Sequence, residues 1–194
     1  MRLLLIGAPG AGKGTQATRI AEHFQVAHIS SGDLLRAHVA DGTAIGRKAQ
    51  EYMERGDLVP DDVVLAMLRK PVTEAAAAGG YVLDGFPRTV EQAEAAYAVA
   101  KDLGVAVQVA VHLAVDSEAL VERLIARGEA TGRTDDTPEV IRHRIEVYEE
   151  RTAPLLAYYA ERERLVQVNG DRPIDEVTWS VVVQLQNVKR LLAD

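Results

Sequence analysis

The segment Gly7-Ala8-Pro9-Gly10-Ala11-Gly12-Lys13-Gly14-Thr15 carries the strongest chemical signal in the chain. Its glycines let the backbone turn tightly and aim successive N–H groups at one concave spot. A helix starting at Thr15 would add its positive dipole end there, and Lys13 a full charge. Together these features suit the β- and γ-phosphates of a nucleoside triphosphate. The pattern G-x-x-x-x-G-K-[ST] is matched except at its last position, where Gly14 stands and Thr15 follows. The hydroxyl that would ligate magnesium is therefore displaced by one residue, so magnesium is expected to be held mainly by the phosphates and by water.

Further anion-binding and acid groups follow. Arg123 and Arg127 lie four apart after Asp116-Ser117-Glu118, so they share one helix face. That face is either a solvated one neutralised by Glu122 or a pair of sites for an anion between them. Arg144 flanks the apolar stripe of Ile141, Ile145 and Tyr148. Its stem either snorkels to water or aims a guanidinium into a crevice. Asp84 ends the run Tyr81-Val82-Leu83, either as a helix cap or at the strand edge where ligands bind. Asp135 and Asp136 read as helix-capping or loop-ordering residues. The histidines at 23, 28, 38, 112 and 143 have no metal-ligand spacing and read as surface or core residues.

These residues need a scaffold, and the apolar pattern supplies one. Apolar, partly β-branched runs at Arg2–Ile6, Val26–Ile29, Tyr81–Leu83, Val107–Leu113 and Leu165–Val168 read as strands, most of them nearly continuous and so buried on both faces. Helical stripes lie between them: Ala17, Ile20, Ala21 and Phe24, then Ile141, Ile145 and Tyr148, then Ile174, Val177, Val181, Leu185 and Val188. Gly170-Asp171-Arg172-Pro173 supplies start chemistry for the last. Alternating strands and helices imply an α/β fold with a parallel sheet covered on both sides. Two segments stand outside the alternation. Ser30 to Val59 has helical patches at Leu34–Val39 and Ile45–Met53 and reads as a helical insert, and Gly128 to Gly132 as a short exposed loop. Both could cover a crevice at the carboxyl ends of the strands.

At 194 residues the chain fits one domain, and 47% hydrophobic with 26% charged residues is a globular balance. The absence of cysteine removes disulfides, Cys-based zinc sites and thiol chemistry. No apolar run approaches the ~20 residues a membrane span needs, and the first residues are too short a run for a signal peptide, so a cytoplasmic protein is expected. A net charge of −7 argues against non-specific nucleic-acid binding while leaving room for a local arginine cluster on a small polyanion.

Gly-x-Pro-Gly-x-Gly-Lys-Gly-Thr resembles the phosphate loop of the adenylate kinases and their nucleoside monophosphate kinase relatives. Ser30-Ser31-Gly32-Asp33-Leu34-Leu35-Arg36, Gly56-Asp57-Leu58-Val59-Pro60-Asp61 and Asp84-Gly85-Phe86-Pro87-Arg88-Thr89 with Gln92 are similar to that family's motifs. So are Gly132-Arg133-Thr134-Asp135-Asp136, Arg144 and Thr152-Ala153-Pro154-Leu155, in order along essentially the whole chain. The resemblance implies a three-layer P-loop fold with a central, mostly five-stranded parallel sheet. It divides the chain into a core (1–29, 60–125, 134–194), a monophosphate-binding insert (30–59) and a short lid (126–133).

It also implies transfer of the γ-phosphoryl of MgATP to AMP, giving two ADP. ATP contacts are then expected from Gly10, Ala11, Gly12, Lys13, Gly14, Thr15, Arg123, Arg127 and Arg172. AMP contacts are expected from Ser31, Arg36, Asp57, Leu58, Val59, Gly85, Phe86, Pro87, Arg88, Gln92, Arg133 and Arg144. Lys13, Arg88, Arg123, Arg133 and Arg144 would stabilise charge, while Asp84, with Asp33, would anchor waters around magnesium. The AMP phosphate is already ionised, so no general base is required. Thr89 favours AMP over UMP or CMP as acceptor; a nucleotide-binding regulator without transfer activity is the alternative of another class. Family likeness further implies a monomer, and a lid this short without cysteine implies no zinc.

Overall fold

Five short strands order the molecule, because each is apolar enough to be buried and is followed by a helix that returns the chain. In the computed structural model, which describes residues 1–131, 137–162 and 164–191, the chain begins with β1 (Arg2–Ile6), α1 (Lys13–Phe24) and β2 (Ala27–Ser30). Three helices follow: α2 (Ser31–Ala40), α3 (Ala44–Arg55) and α4 (Asp61–Ala77). Then come β3 (Tyr81–Asp84), α5 (Val90–Asp102), β4 (Val109–Ala114), α6 (Ser117–Thr131) and α7 (Pro138–Val147). A π-helical turn at Tyr148–Thr152, α8 (Leu155–Ala160), β5 (Leu165–Asn169) and α9 (Ile174–Leu191) complete it.

The sheet runs in the order β2-β3-β1-β4-β5, with every neighbouring pair parallel. From central β1 the chain goes out to the edge at β2, returns to β3 and then continues on the other side through β4. That reversal opens a crevice beyond the carboxyl end of β1, where the phosphate loop sits.

Strand alternation sorts the core. Leu3 and Leu5 of β1, with Val111 and Leu113 of β4, pack against Ala17 and Ile20 of α1 and Val177, Val181 and Leu185 of α9. Leu4 and Ile6 face the opposite way, against Ala93, Leu155, Tyr158 and Tyr159. Tyr81 and Leu83 join Val63, Val64, Met67 and Leu68 of α4 in a third cluster that also holds Leu35 and Ala49 of the insert. The insert is thus not a detached flap: it shares apolar side chains with α4.

The expected strands form within one or two residues of their predicted ends, β2 reaching Ser30 and β4 starting at Val109. Three expectations are corrected. The helix after the phosphate loop begins at Lys13, not Thr15. The exposed loop expected at 128–132 is, over its described part, the end of α6, which continues through Gly128 to Thr131. A single glycine costs a helix about 1 kcal/mol, too little to end one supported by Ala126, Glu129 and Ala130; Thr131 also donates from its hydroxyl to the Arg127 carbonyl at 2.8 Å. Finally, Ile174, placed in the buried stripe of the last helix, is 52% exposed, and Val182 is buried instead.

Candidate active site

The phosphate loop is shaped by two left-handed glycines, Gly10 (φ 85°) and Gly12 (φ 86°), conformations that side chains other than glycine rarely adopt. Gly10 also lets α6 approach: a Cβ there would lie 2.9 Å from the Leu120 carbonyl and 3.0 Å from Leu124 Cγ. Helix α1 has Gly12 as its N-cap, with no side-chain cap and no acidic residue in its first turn. Its first N–H groups therefore remain to be met by an anion.

Lys13 curls back over the loop, its Nζ donating to the Gly7 carbonyl at 2.8 Å and the Ala8 carbonyl at 3.0 Å. Burial lowers its pKa from 10.5 to about 8; the Asp84 carboxylate opposes that fall, while Arg88, Arg144 and Arg127 add to it. Four cations thus act on one another around one carboxylate. Asp84 is buried at the end of β3, and a Cβ on Gly14 would lie 3.8 Å from its Oδ2, so the carboxylate borders the start of α1.

Beside this loop lies a second concavity. It is lined by Ser31, Gly32, Leu35 and Arg36 of α2, by Met53, Gly56, Asp57, Leu58 and Val59 at the end of the insert, and by Val64, Gly85, Phe86, Arg88, Gln92 and Arg144. The pocket against the phosphate loop, bordered by Gly7, Pro9, Lys13, Pro87, Tyr148 and Thr152, shares Gly56, Leu58, Gly85, Arg88 and Arg144 with it. Arg88 and Arg144 therefore stand where the two hollows meet. Arg144 aims into the crevice; the snorkelling alternative is set aside.

Local chemistry fixes these groups. After β3 the chain passes Gly85 (φ 82°) and the cis Phe86–Pro87 bond; a Cβ on Gly85 would come within 2.6 Å of Ser31 Oγ. Arg88 Nε donates to the Gly85 carbonyl at 2.8 Å. Thr89 caps α5, its hydroxyl accepting from the Gln92 N–H at 3.2 Å. Gly56 ends α3 in the left-handed region, with Gly56 N–H to the Met53 carbonyl and Asp57 N–H to the Tyr52 carbonyl closing the helix. A Cβ on Gly56 would meet Arg144 Cγ at 2.9 Å, so the glycine is also what admits that arginine.

The family model described as adenylate kinase matches residues 5–164. The chain belongs to the adenylate kinase family. It is 50% identical over 177 residues to an adenylate kinase of Xanthomonas oryzae pv. oryzae, covering 91% of this chain and 95% of that one. It is 46% identical over 187 residues to an adenylate kinase of Thermobifida fusca, covering 96% and 99%. By family the chain is a nucleoside monophosphate kinase, the class of enzyme that moves a phosphoryl group between ATP and AMP.

Not every residue expected in the site reaches these hollows. Arg123 turns to the segment after β5, donating to the Gly170 carbonyl at 3.3 Å and pairing with Asp171 at 3.4 Å. Arg172 is exposed in that same segment. Neither lines the two pockets, whereas Arg127 acts on Lys13 through its charge. Asp33 pairs with Arg36 on the next turn of α2. Arg133, Asp135 and Asp136 lie outside the described residues.

Contacts of two residues, His143 and Gln92, escaped sequence reasoning. His143, read as a surface or core residue, has its Nε2 2.7 Å from Asp57 Oδ1, tying α7 to the end of the insert. That contact, with the Arg55 guanidinium beside it, holds the Asp57 carboxyl below the usual carboxylate range. Gln92 Nε2 donates to Asp61 Oδ1 at 2.6 Å, and its Oε1 accepts from the Arg88 N–H at 2.7 Å. Neither pairing has a sequence signature, since the partners are 86 and 31 residues apart.

Proposed function

We propose that this chain transfers the γ-phosphoryl group of MgATP to AMP by aligning two polyanions and stabilising charge, with no general base. The observation that carries this is the position of Arg88 and Arg144, which line both the phosphate-loop pocket and its neighbour. ATP would lie with its phosphates on the loop of Gly10 to Thr15 and on Lys13, within reach of Arg127. Arg123 and Arg172 would join it when the segment after β5 rearranges. AMP would occupy the neighbouring pocket, its phosphate toward Arg36, Arg88 and Arg144. Its base would lie among Ser31, the 57–59 backbone, Gly85 and Gln92.

An oxygen of the AMP phosphate, ionised at neutral pH, forms a bond to Pγ as the bond from Pγ to the β,γ-bridging oxygen breaks; the electron pair leaves with ADP. No proton has to move. The demand is charge stabilisation on the transferred group, which preorganised cations meet best where water is excluded. Arg133 would add to them from the lid.

Magnesium fits the donor set at hand. An ion that arrives on phosphates needs only one or two protein carboxylates, and Asp84 supplies one beside the phosphate loop. Asp84, at the mouth of the loop, would hold its waters, and Thr15 is exposed nearby. Bound there, magnesium neutralises charge on the β- and γ-phosphates.

Water exclusion calls for closure of the insert (30–59) over AMP and of the segment near 126–133 over ATP; lids of adenylate kinase are a standard instance of such gating. Family likeness supports a monomer working in the cytoplasm, and the net charge of −7 argues against nucleic acid as a partner. Incubation with MgATP and AMP, UMP or CMP in turn tests the reading. Diphosphate is expected from AMP; its absence with AMP, in folded protein, refutes it.

A further inference from the structure

We propose that Asp61 is a specificity-determining positioning residue: by fixing which end of the Gln92 side-chain amide faces which way, it makes the acceptor pocket select a 6-amino over a 6-oxo purine. The proposal rests on the reading of Gln92 as a base contact. Gln92 is buried, at 3% exposure, and lines the acceptor pocket. Its amide has two ends of similar shape and opposite hydrogen-bonding sense, so orientation must come from its neighbours.

Both neighbours vote the same way. The Arg88 N–H, 2.7 Å away, only donates and so requires Oε1. The Asp61 carboxylate, 2.6 Å away, only accepts and so requires Nε2. With those bonds made, Gln92 retains one N–H on Nε2 and one lone pair on Oε1. Adenine offers a matching pair, the N6 amino donor beside the N1 acceptor, which a glutamine amide can meet in bidentate fashion. Hypoxanthine or guanine offers the reverse, an O6 acceptor beside an N1–H donor. Accepting either requires the amide to turn over. A turned amide sets Nε2 against the Arg88 N–H and Oε1 against the Asp61 carboxylate, two like-against-like contacts in a partly buried place.

Asp61 is the adjustable half of this lock, because Arg88 contributes a backbone N–H that no substitution removes. It is the first residue of α4 and exposed to solvent, whereas Gln92 is the third residue of α5 and buried. An asparagine or serine at position 61 can donate as well as accept, and so tolerates either amide orientation.

The test is steady-state kinetics with AMP and IMP as acceptors, which differ at position 6 and N1, in wild type, Asp61→Asn, Asp61→Ser and Gln92→Ala. The AMP-to-IMP ratio of kcat/KM should fall about tenfold in both Asp61 variants, the scale of one hydrogen bond to a charged group. The change should appear in the KM for the monophosphate, with the KM for ATP unmoved. A wild-type ratio in both Asp61 variants, alongside a reduced ratio in Gln92→Ala, overturns the role of Asp61. A wild-type ratio in Gln92→Ala overturns the base-contact reading beneath it. Lower thermal stability in the Asp61 variants with an unchanged ratio assigns the residue a purely structural role and likewise overturns the proposal.

Discussion

Raising the pH from 7 to 9 should weaken ATP binding through one group, Lys13, whose folded pKa is depressed to about 8. In the free protein the ammonium is partly buried, with only two loop carbonyls and Asp84 in its favour and three arginines against it. A bound triphosphate adds negative charge beside it and returns the pKa upward. Binding must then take up a proton wherever the free lysine is partly neutral: about half a proton at pH 8 and about 0.1 at pH 7. Above pH 8 the dissociation constant should rise about tenfold per unit. Calorimetry at pH 8, in buffers of different protonation enthalpy, reads the uptake directly.

The Lys13→Arg variant is the control, since a guanidinium stays charged throughout and cannot contribute. Asp84→Asn, which removes the one negative charge that raises it, should move the lysine midpoint below about 8. Equal proton uptake by wild type and Lys13→Arg at pH 8, or a Lys13 side chain titrating near 10.5 in the free protein, would refute the reasoning. The same shift has a stability consequence with a fixed sign. The folded pKa lies below the unfolded 10.5, so the fold carries a cost below pH 8 that is relieved as pH rises from about 8 to 10.5. The gap corresponds to at most about 3 kcal/mol.

Other perturbations have defined outcomes. Arg88→Ala and Arg144→Ala should each lower kcat by about 10²–10³, as loss of one preorganised charge donor does, in a coupled assay with saturating MgATP and AMP; near-wild-type turnover in both removes them from the site. Gly56→Ala forces a strained left-handed alanine and a 2.9 Å contact with Arg144, so urea unfolding should register about 1–3 kcal/mol of lost stability, with a raised KM for AMP. Ala93, Ala96 and Ala100 of α5 leave an apolar cavity of about 690 Å³ against α4, α8 and β3. Ala100→Leu should therefore raise the melting temperature, a gain of about 1 kcal/mol, without altering turnover.

The strands were legible because burial on both faces demands unbroken apolar runs, and only central strands are so buried: β1 and β3 show it, whereas edge strand β5 alternates. The phosphate loop was legible because its geometry is enforced locally, by glycines at φ 85° and 86°. What escaped was decided between elements. Nothing in the spacing of Arg123 and Arg127 says that the first turns to Asp171 while the second adds its charge to the surroundings of Lys13. The end of α6 was misread for the opposite reason, a local glycine signal overruled by good helix formers on both sides.

An acidic chain that gathers Lys13, Arg88, Arg127 and Arg144 near one another does so against their repulsion, which adds to the burial that already depresses the pKa of Lys13 in the unliganded state. A fold selected for stability alone would disperse them. The cost becomes useful only when two nucleotides supply the missing negative charge, and more of it as charge builds on the phosphoryl group in flight. Interactions that strengthen from ground state to transition state raise turnover, whereas uniform binding does not. On the proposed reading Arg88 and Arg144 would hold that advantage by position, since both line the two pockets between which the group would cross. Each depends on a glycine: a Cβ on Gly85 would press on Arg88 Nη2 at 3.3 Å, and Gly56 leaves the space that the Arg144 stem fills. Loss of turnover from either glycine, with both nucleotides still bound, should therefore resemble loss of the arginine it serves.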